Sequence, residues 1–203
     1  MAEYYHNLIT EKSFKILQDL RKKYQFILIG GWAIFLYSQA LKSKDIDIII
    51  EYEELEKLKN DFSVFKNERL KKYEIKIEEI DIDIYLPFYS QLGLPLEKIK
   101  QYTQSQEGFI VPWPEILLIF KLGVFVKRKN SAKGQKDFLD IFSLLKSSLI
   151  NWQKYQEIIK KYSLNQLNDD LKNLVSSAQS LAELNLNEQS IAKLKKKILS
   201  KIL

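Results

Sequence analysis

Two short stretches decide the fold of this chain: FILIGG at residues 26–31 and KDIDIII at residues 44–50. The first is an apolar run that ends in two glycines, Gly30 and Gly31, which is typical of a buried strand that turns tightly into a helix. The second is rich in β-branched isoleucine, which favours a buried strand. Together they predict a unit of strand, glycine turn, helix and strand.

The second stretch carries two alternating carboxylates, Asp45 and Asp47, and thirteen residues separate them from the glycine pair. Side chains two residues apart on a strand point to the same face, so both negative charges lie on one side of the sheet. A divalent cation bound at that face relieves their mutual repulsion. The sequence therefore predicts a metal site beside the glycine turn.

A second pair of alternating carboxylates, Asp81 and Asp83, lies in residues 73–86. The alternating isoleucines of this segment predict one long strand or a bent pair of strands. A two-metal site for phosphoryl or nucleotidyl transfer needs a further carboxylate on a neighbouring strand. The pattern leaves both residues open, and we favour Asp83 because it lies closer to the end of the strand.

The glycine pair also predicts where phosphate groups bind. Glycine lets the backbone approach a phosphate chain closely, and the free amides at a helix N-terminus favour anionic oxygens. We therefore expect Gly30 and Gly31 to bind phosphates that the metal ions bridge.

Composition excludes several kinds of site. The chain has 203 residues, 46% of them hydrophobic and 29% charged, which is enough to bury a proper core. It contains no cysteine and one histidine, so disulfides, thiolate-bound metals and histidine-rich metal centres are excluded, and any metal must be held by oxygen. The net charge of +6 favours anionic partners such as nucleotides or RNA.

Neither an apolar signal core nor a long uncharged apolar run is found, and a bilayer-spanning helix needs about eighteen apolar residues. We therefore predict a cytoplasmic protein without a membrane partner.

The whole pattern predicts the α+β class, with a mixed β-sheet flanked by helices and a C-terminal helical bundle. We place the sheet domain at residues 1–112 and the helical domain at residues 113–203. The helices predicted for the second domain span residues 115–127, 133–147, 152–162, 164–176 and 187–203.

The glycine pair, the following helix, the Asp-Ile-Asp strand and a later strand carboxylate together resemble the nucleotidyltransferase superfamily that includes polymerase beta, in its minimal prokaryotic form. This resemblance covers about residues 26–86. Further on, Lys121-Leu122 with Arg128, and then Lys136-Asp137-Phe138-Leu139-Asp140, look like signatures of the AbiEii-like toxin nucleotidyltransferases.

The resemblance implies a reaction and a set of roles. Transfer of a nucleoside monophosphate from a nucleoside triphosphate (NTP), with release of pyrophosphate, would use a two-ion Mg²⁺ site. The acceptor would be RNA, a protein or a small molecule, and an antitoxin-type protein would be a further partner. In the first part of the chain, the implied roles are metal binding for Asp45, Asp47 and Asp83 and triphosphate binding for Gly30 and Gly31. In the second part, they are phosphate binding for Lys121, with Arg128 on the same helix face, and assistance by a further acid, Asp137 or Asp140.

One position departs from the resemblance. Many relatives carry a phosphate-binding serine where this chain has Gly31, and Ser43, near the entry to the second strand, is our candidate for the missing hydroxyl.

The same residues also have plainer interpretations. Lys121 and Arg128 lie seven residues apart on one helix face, as ordinary surface charges do. Asp137 and Asp140 would offset the dipole of a helix that begins near Gly134. Two other functions stay open: a catalytically silent nucleotide-binding regulatory module, and a nucleic-acid-binding protein that uses its basic C-terminal half.

Overall fold

In a computed structural model, the chain divides into two compact units, the first ending at Trp113 and the second beginning at Pro114. The structure describes residues 2–202, with side chains from residue 7 onward. The helices of the first unit are α1 (Ala2–Lys23), α2 (Gly30–Ser38) and α3 (Tyr52–Asp61), followed by a 3₁₀ helix (Leu96–Tyr102). Its strands are β1 (Ile27–Ile29), β2 (Ile46–Ile49), β3 (Phe65–Asn67), β4 (Lys72–Ile77), β5 (Ile80–Tyr85), β6 (Thr103–Gln106) and β7 (Phe109–Pro112).

A five-stranded mixed sheet organises the first unit, with the strand order β1-β2-β5-β4-β3. Only β2 and β5 run parallel, and every other neighbouring pair is antiparallel. β6 and β7 form a separate two-stranded sheet. The predicted unit of strand, glycine turn, helix and strand is therefore present, and its two strands are neighbours.

The two faces of the five-stranded sheet differ in polarity because side chains alternate along each strand. One face is a dry core of isoleucines, namely Ile46, Ile48, Ile75, Ile80, Ile82 and Ile84, each at most 2% exposed. The other face carries acidic and basic side chains at the intervening positions. The alternation that the sequence shows thus sorts apolar residues from charged ones.

α2 is buried almost completely, which explains why its sequence is apolar on all sides. Trp32 is 1% exposed, and its indole nitrogen donates a hydrogen bond to the hydroxyl of Ser13 on α1 over 2.9 Å. The ring of Phe14, also on α1, lies 5.0 Å from the Trp32 ring. The glycine turn that begins α2 is therefore fixed to a rigid core.

The segment predicted as one long strand or a bent pair is a hairpin. β4 and β5 pair in antiparallel register from Tyr73 opposite Ile84 to Ile77 opposite Ile80. The chain reverses at Glu78 and Glu79, and Glu78 has a positive φ of 53°. The prediction of one continuous strand is wrong because this turn contains none of the glycine or asparagine residues that normally signal a reversal.

The charged, amphipathic pattern of residues 53–65 predicts one helix, and the structure shortens it. α3 ends at Asp61, and Phe65 begins β3 instead. β3 has three residues and lies at the edge of the sheet beside β4, so its place depends on pairing and not on local propensity.

The second unit is helical. It contains α4 (Pro114–Arg128), α5 (Ala132–Ser147), α6 (Trp152–Lys161), α7 (Gln166–Ser177) and α8 (Glu188–Ile202), with a short 3₁₀ helix (Ala182–Leu184) before α8. The side chains of Ser131 and Asn151 cap α5 and α6 by accepting hydrogen bonds from backbone amides. Among residues 2–202, no helix has both the length and the apolar character needed to cross a membrane.

Candidate functional site

Three carboxylates lie side by side on the charged face of the five-stranded sheet. Asp47 on β2 is the register partner of Asp83 on β5, and Asp83 is in turn the partner of Glu74 on β4. Neighbouring strands are about 4.8 Å apart, so these acids occupy consecutive positions across the sheet. We call Asp47, Asp83 and Glu74 the carboxylate row.

A buried lysine neutralises part of this row. The ammonium group of Lys72 lies 2.6 Å from Oδ2 of Asp83 and 2.9 Å from Oε1 of Glu74. The side chain of Lys72 is only 11% exposed. Burial by itself lowers the pKa of Lys72, but the hydrogen bonds to Asp83 and Glu74 outweigh it and the pKa is raised. Lys72 is therefore a permanent cation at this face.

The row still carries an excess of negative charge. Burial and, after it, the charge of Asp47 raise the pKa of Asp83 from 3.8 to about 6, although the ion pair with Lys72 acts in the opposite direction. Like charges that are held together in a partly dry site raise each other's pKa in this way. Ionisation of Asp83 is therefore costly unless a further positive charge binds beside it.

The glycine turn lies directly against this row. Gly30 has a φ of +67°, which glycine adopts without strain, and a Cβ atom at this position would overlap the carboxylate of Asp47. A side chain at Gly30 would therefore displace the acid. α2 begins at Gly30, and its N-cap residue is Ile29, whose apolar side chain cannot accept a hydrogen bond from the first-turn amides. An amide-rich helix N-terminus and a carboxylate are thus adjacent.

Gly31 and Ser43 are also neighbours in the structure. A Cβ at Gly31 would lie 2.7 Å from Oγ of Ser43. Ser43 is 1% exposed, and its hydroxyl donates a hydrogen bond to the backbone oxygen of Asp45 over 3.1 Å. The hydroxyl therefore helps to shape the approach to β2, and its role in phosphate binding stays a prediction.

The structure distinguishes the other two candidate acids. Asp45 comes immediately before β2 and is half-buried. Asp81 is exposed on the same face as Asp83, and its partner on β4 is Lys76. Asp83, and not Asp81, is thus the residue opposite Asp47.

Sequence reasoning missed three members of this site: Lys72, Glu74 and Tyr85. The hydroxyl of Tyr85 lies 3.4 Å from Oδ1 of Asp47, at hydrogen-bonding distance. The alternation of Lys72, Glu74 and Lys76 was a signal that β4 carries charges on one face. Its importance becomes visible only when β4 is paired with β5.

The site residues predicted for the second unit form a cluster of their own. The ammonium of Lys121 on α4 lies 3.1 Å from Oδ1 of Asp137 and 2.7 Å from Oδ2 of Asp140, both on α5. The guanidinium of Arg128 donates two hydrogen bonds to Asp137, over 2.7 and 3.0 Å. The side chains of both aspartates are 2% exposed. We call these four residues the α4–α5 charge cluster.

Within this cluster, each predicted phosphate-binding cation contacts a predicted catalytic acid. The contacts join α4 to α5, as a structural ion-pair network does. The roles of Lys121, Arg128 and Asp137 in nucleotide binding or catalysis stay predictions.

The fold resembles those of known proteins. An antigenic nucleotidyltransferase-like protein from Paracoccidioides brasiliensis aligns with a TM-score of 0.53 at 17% identity, over 93% of this chain and 92% of the other. A candidate nucleotidyltransferase from H. pylori aligns with a TM-score of 0.52 at 17% identity, over 96% of this chain and 94% of the other. No protein-family model and no curated protein sequence matches the chain. The α+β class is confirmed, and the chain has the nucleotidyltransferase fold.

Proposed function

We propose that this protein is a Mg²⁺-dependent nucleotidyltransferase. It transfers a nucleoside monophosphate from an NTP to an acceptor hydroxyl and releases pyrophosphate. The observation that carries the proposal is the contact between the glycine turn and the carboxylate row, where Gly30 lies against Asp47 and Asp47 lies beside Asp83. A phosphate-binding backbone and cation-binding acids are needed together for this reaction.

The donor set fits a divalent cation. Carboxylate oxygens are hard ligands, and Mg²⁺ in phosphoryl-transfer sites usually takes one or two protein carboxylates together with substrate phosphates and water. Asp47, with Asp45 two residues before it, supplies such a pair. Among residues 7–202, no three acidic or histidine side chains converge as a complete metal cage, so the cation would need the phosphates of the substrate as further ligands.

Each part of the site has a separate task in this proposal. The amides of the first turn of α2 bind the phosphate oxygens. The carboxylate row would bind the cation of the metal–NTP complex. The acceptor hydroxyl gives its proton to a carboxylate of the row, its oxygen forms a bond to the α-phosphorus, and the bond from that phosphorus to pyrophosphate breaks. A bound Mg²⁺ withdraws charge from the phosphate oxygens and so makes this displacement easier.

Charge distribution supports an anionic acceptor such as RNA. Residues 114–203 contain sixteen Lys and Arg against eight Asp and Glu, whereas residues 1–113 contain sixteen against eighteen. The second unit is therefore strongly basic, which favours contacts with a phosphate backbone. A protein or small-molecule acceptor and an antitoxin-type partner, as the likeness to AbiEii-like proteins implies, stay secondary proposals.

One observation favours a second candidate function, a catalytically silent nucleotide-binding module. Lys72 already pairs with Asp83 and thereby occupies one carboxylate that a two-ion site would use. Such a module would bind NTP in the presence of Mg²⁺ but would release no pyrophosphate.

The two candidates are separated by one experiment. The purified protein is incubated with Mg²⁺, total RNA and each of the four α-labelled NTPs in turn, and both label transfer and pyrophosphate are measured. We expect label on an acceptor together with pyrophosphate, and the labelled species identifies the acceptor class. Binding of NTP without either product, with RNA, protein extract and small hydroxyl compounds all tested, would contradict the proposal and favour the silent module.

A further inference from the structure

An exposed phenylalanine continues the carboxylate row across the sheet. Phe65 on β3 is the register partner of Glu74 on β4, and directly opposite residues of an antiparallel pair have their side chains on the same face. Asn67, two residues further along β3, donates a side-chain hydrogen bond to Glu74 over 2.9 Å, which agrees with this orientation. The ring of Phe65 therefore lies on the charged face, beside the last acid of the row.

The ring of Phe65 is open to solvent. It is 63% exposed, although phenylalanine is among the side chains that gain most from burial. The isoleucine core lies on the other face of the sheet, so Phe65 takes no part in it. An exposed ring on a charged face offers a flat apolar surface on which a planar group can stack.

The hairpin that carries this ring is basic. Residues 65–76, which span β3, the following turn and most of β4, contain five Lys and Arg against two Glu. Lys76 is exposed and lies two positions from Glu74 on β4, hence on the same face as Phe65. Proteins hold single-stranded nucleic acids by this combination, in which cations contact the phosphates and aromatic rings stack on the bases.

The order of groups along the row indicates which nucleotide meets the ring. The glycine turn, which would hold the pyrophosphate part of the NTP, lies at the Asp47 end. In-line displacement places the acceptor oxygen on the opposite side of the α-phosphorus, and along the row that side leads toward β4 and β3. Phe65 lies two strands beyond Asp83, or about 10 Å at the ordinary strand spacing, within reach of the base of the reacting nucleotide.

We propose that Phe65 is a stacking platform for the terminal base of a single-stranded RNA acceptor. This inference rests on the proposed function, and it deepens it by naming the acceptor class and the residue that holds its end. Phe65 is a positioning residue: it fixes the terminal base and so holds the ribose hydroxyl of that nucleotide at the row. Every base has a flat aromatic face, so this contact selects an RNA end and not a sequence.

A binding cycle tests the contact without catalysis. Two single-stranded RNAs of about ten nucleotides are compared, identical except that one ends in a 3′ adenosine and the other in an abasic ribose. Their Kd values for wild type and Phe65→Leu are measured by fluorescence anisotropy, with Mg²⁺ present and NTP absent. We expect Phe65→Leu to weaken binding of the intact RNA about tenfold and that of the abasic RNA by less than about twofold.

Two further variants show whether the ring itself is needed. Phe65→Trp keeps a stacking surface and should bind the intact RNA within about threefold of wild type. Phe88→Leu is the matched control, since Phe88 is 83% exposed in the same unit but lies in a turn after β5. It should leave both Kd values within about twofold of wild type. Circular dichroism checks that each variant is folded.

Kinetics in the presence of NTP distinguish the acceptor base from the donor base. For label transfer to the intact RNA, Phe65→Leu should raise KM for the RNA about tenfold and change KM for the NTP by less than about twofold. A rise in KM for the NTP alone would mean that the ring holds the incoming base, and it would refute the inference.

Other results would also overturn the inference. These are a wild-type chain that binds neither RNA, equal weakening of both RNAs by Phe65→Leu, and equal effects of Phe65→Leu and Phe88→Leu. Label transfer to a protein or a small molecule, but not to RNA, would refute it and leave the proposed function intact. Coupling between Phe65 and the terminal base without label transfer to any acceptor would instead refute the proposed function and the acceptor role, while the contact with the base would stand.

Discussion

The carboxylate row and the α4–α5 charge cluster contain the same kinds of residue but differ in charge balance. In the cluster, Lys121 and Arg128 face two aspartates, so that two positive charges meet two negative ones. In the row, Lys72 faces Glu74 and Asp83, and Asp47 adds a further negative charge beside them. The cluster is therefore neutral, and the row is not.

Charge balance distinguishes a structural cluster from a functional one better than residue type does. A balanced buried network links two helices and needs nothing from outside. An unbalanced row beside a helix N-terminus stores electrostatic repulsion that a cation would relieve.

The largest effect is expected for Asp47→Asn in the row. Loss of a ligand to the metal should remove several kcal/mol of transition-state stabilisation, so label transfer from an α-labelled NTP should fall by about 1,000-fold. Asp81→Asn is the matched control, because Asp81 has the same chemistry on the same face but is exposed. Transfer that survives in the Asp47 variant would remove Asp47 from the site, and an equal loss in both variants would contradict the distinction between Asp47 and Asp81.

In the α4–α5 charge cluster, we expect an effect on stability. Asp137→Ala removes the acid that Lys121 and Arg128 share. Because Lys121 keeps its contact with Asp140 and the Arg128 side chain is 39% exposed, we expect the lost charged hydrogen bonds to cost about 2 kcal/mol of unfolding free energy. Urea unfolding followed by circular dichroism measures this loss. Glu183→Gln, at an exposed position in the same unit, should change stability by less than about 0.5 kcal/mol. A stable Asp137 variant would mean that this cluster, too, is more than a structural network.

Two glycine substitutions test whether the glycine turn contacts the carboxylate row. Gly30→Ala combines a positive φ with overlap against Asp47, whereas Gly93→Ala has a φ of +91° and no atom within 4 Å of the added Cβ. Backbone strain alone costs about 1–2 kcal/mol, so we expect that loss for Gly93 and a greater one for Gly30. Urea unfolding of the two variants compares the costs. Equal losses would show that Gly30 and Asp47 are not in the contact described.

The smallest effect is a pH dependence that should come from Asp83. Since the pKa of Asp83 is raised to about 6 in the folded protein, folding is favoured by protonation: the contribution is complete below about pH 3.8 and is lost as the pH rises through about 6. The loss should be about 2 kcal/mol in EDTA-containing buffer, allowing for the partial exposure of the group. The unfolding free energy of wild type, relative to that of Asp83→Asn, should fall by this amount as the pH rises across that range. A constant difference would contradict the raised pKa.

Sequence could predict the parts of the site that depend on short-range patterns. Alternation predicted that Asp45 and Asp47 share one face of their strand and that Asp81 and Asp83 share one face of theirs, and the glycine pair marked the turn. The choice between Asp81 and Asp83 rested on position in the strand, and the observed register places Asp83 opposite Asp47. These features follow from local geometry, which the sequence carries directly.

Lys72 could not be predicted in the same way. Its contact with Asp83 exists because the chain reverses at Glu78 and Glu79, and this turn carries no recognisable signal. The pairing of Lys121 and Arg128 with Asp137 has a similar cause, since i,i+7 spacing on one helix does not reveal what the next helix presents. In both cases the missing information is the partner across a tertiary contact.

Trp32 gives the molecule an optical property that follows from its position. Its indole ring packs against Phe14 and Phe35 and donates a hydrogen bond to Ser13. Trp32 directly follows Gly31 in the sequence. Replacement of Trp113 and Trp152 by phenylalanine would leave Trp32 as the sole indole emitter of the chain. Light emitted by this ring would then report, without any attached dye, how the bend at the start of α2 responds when a ligand arrives.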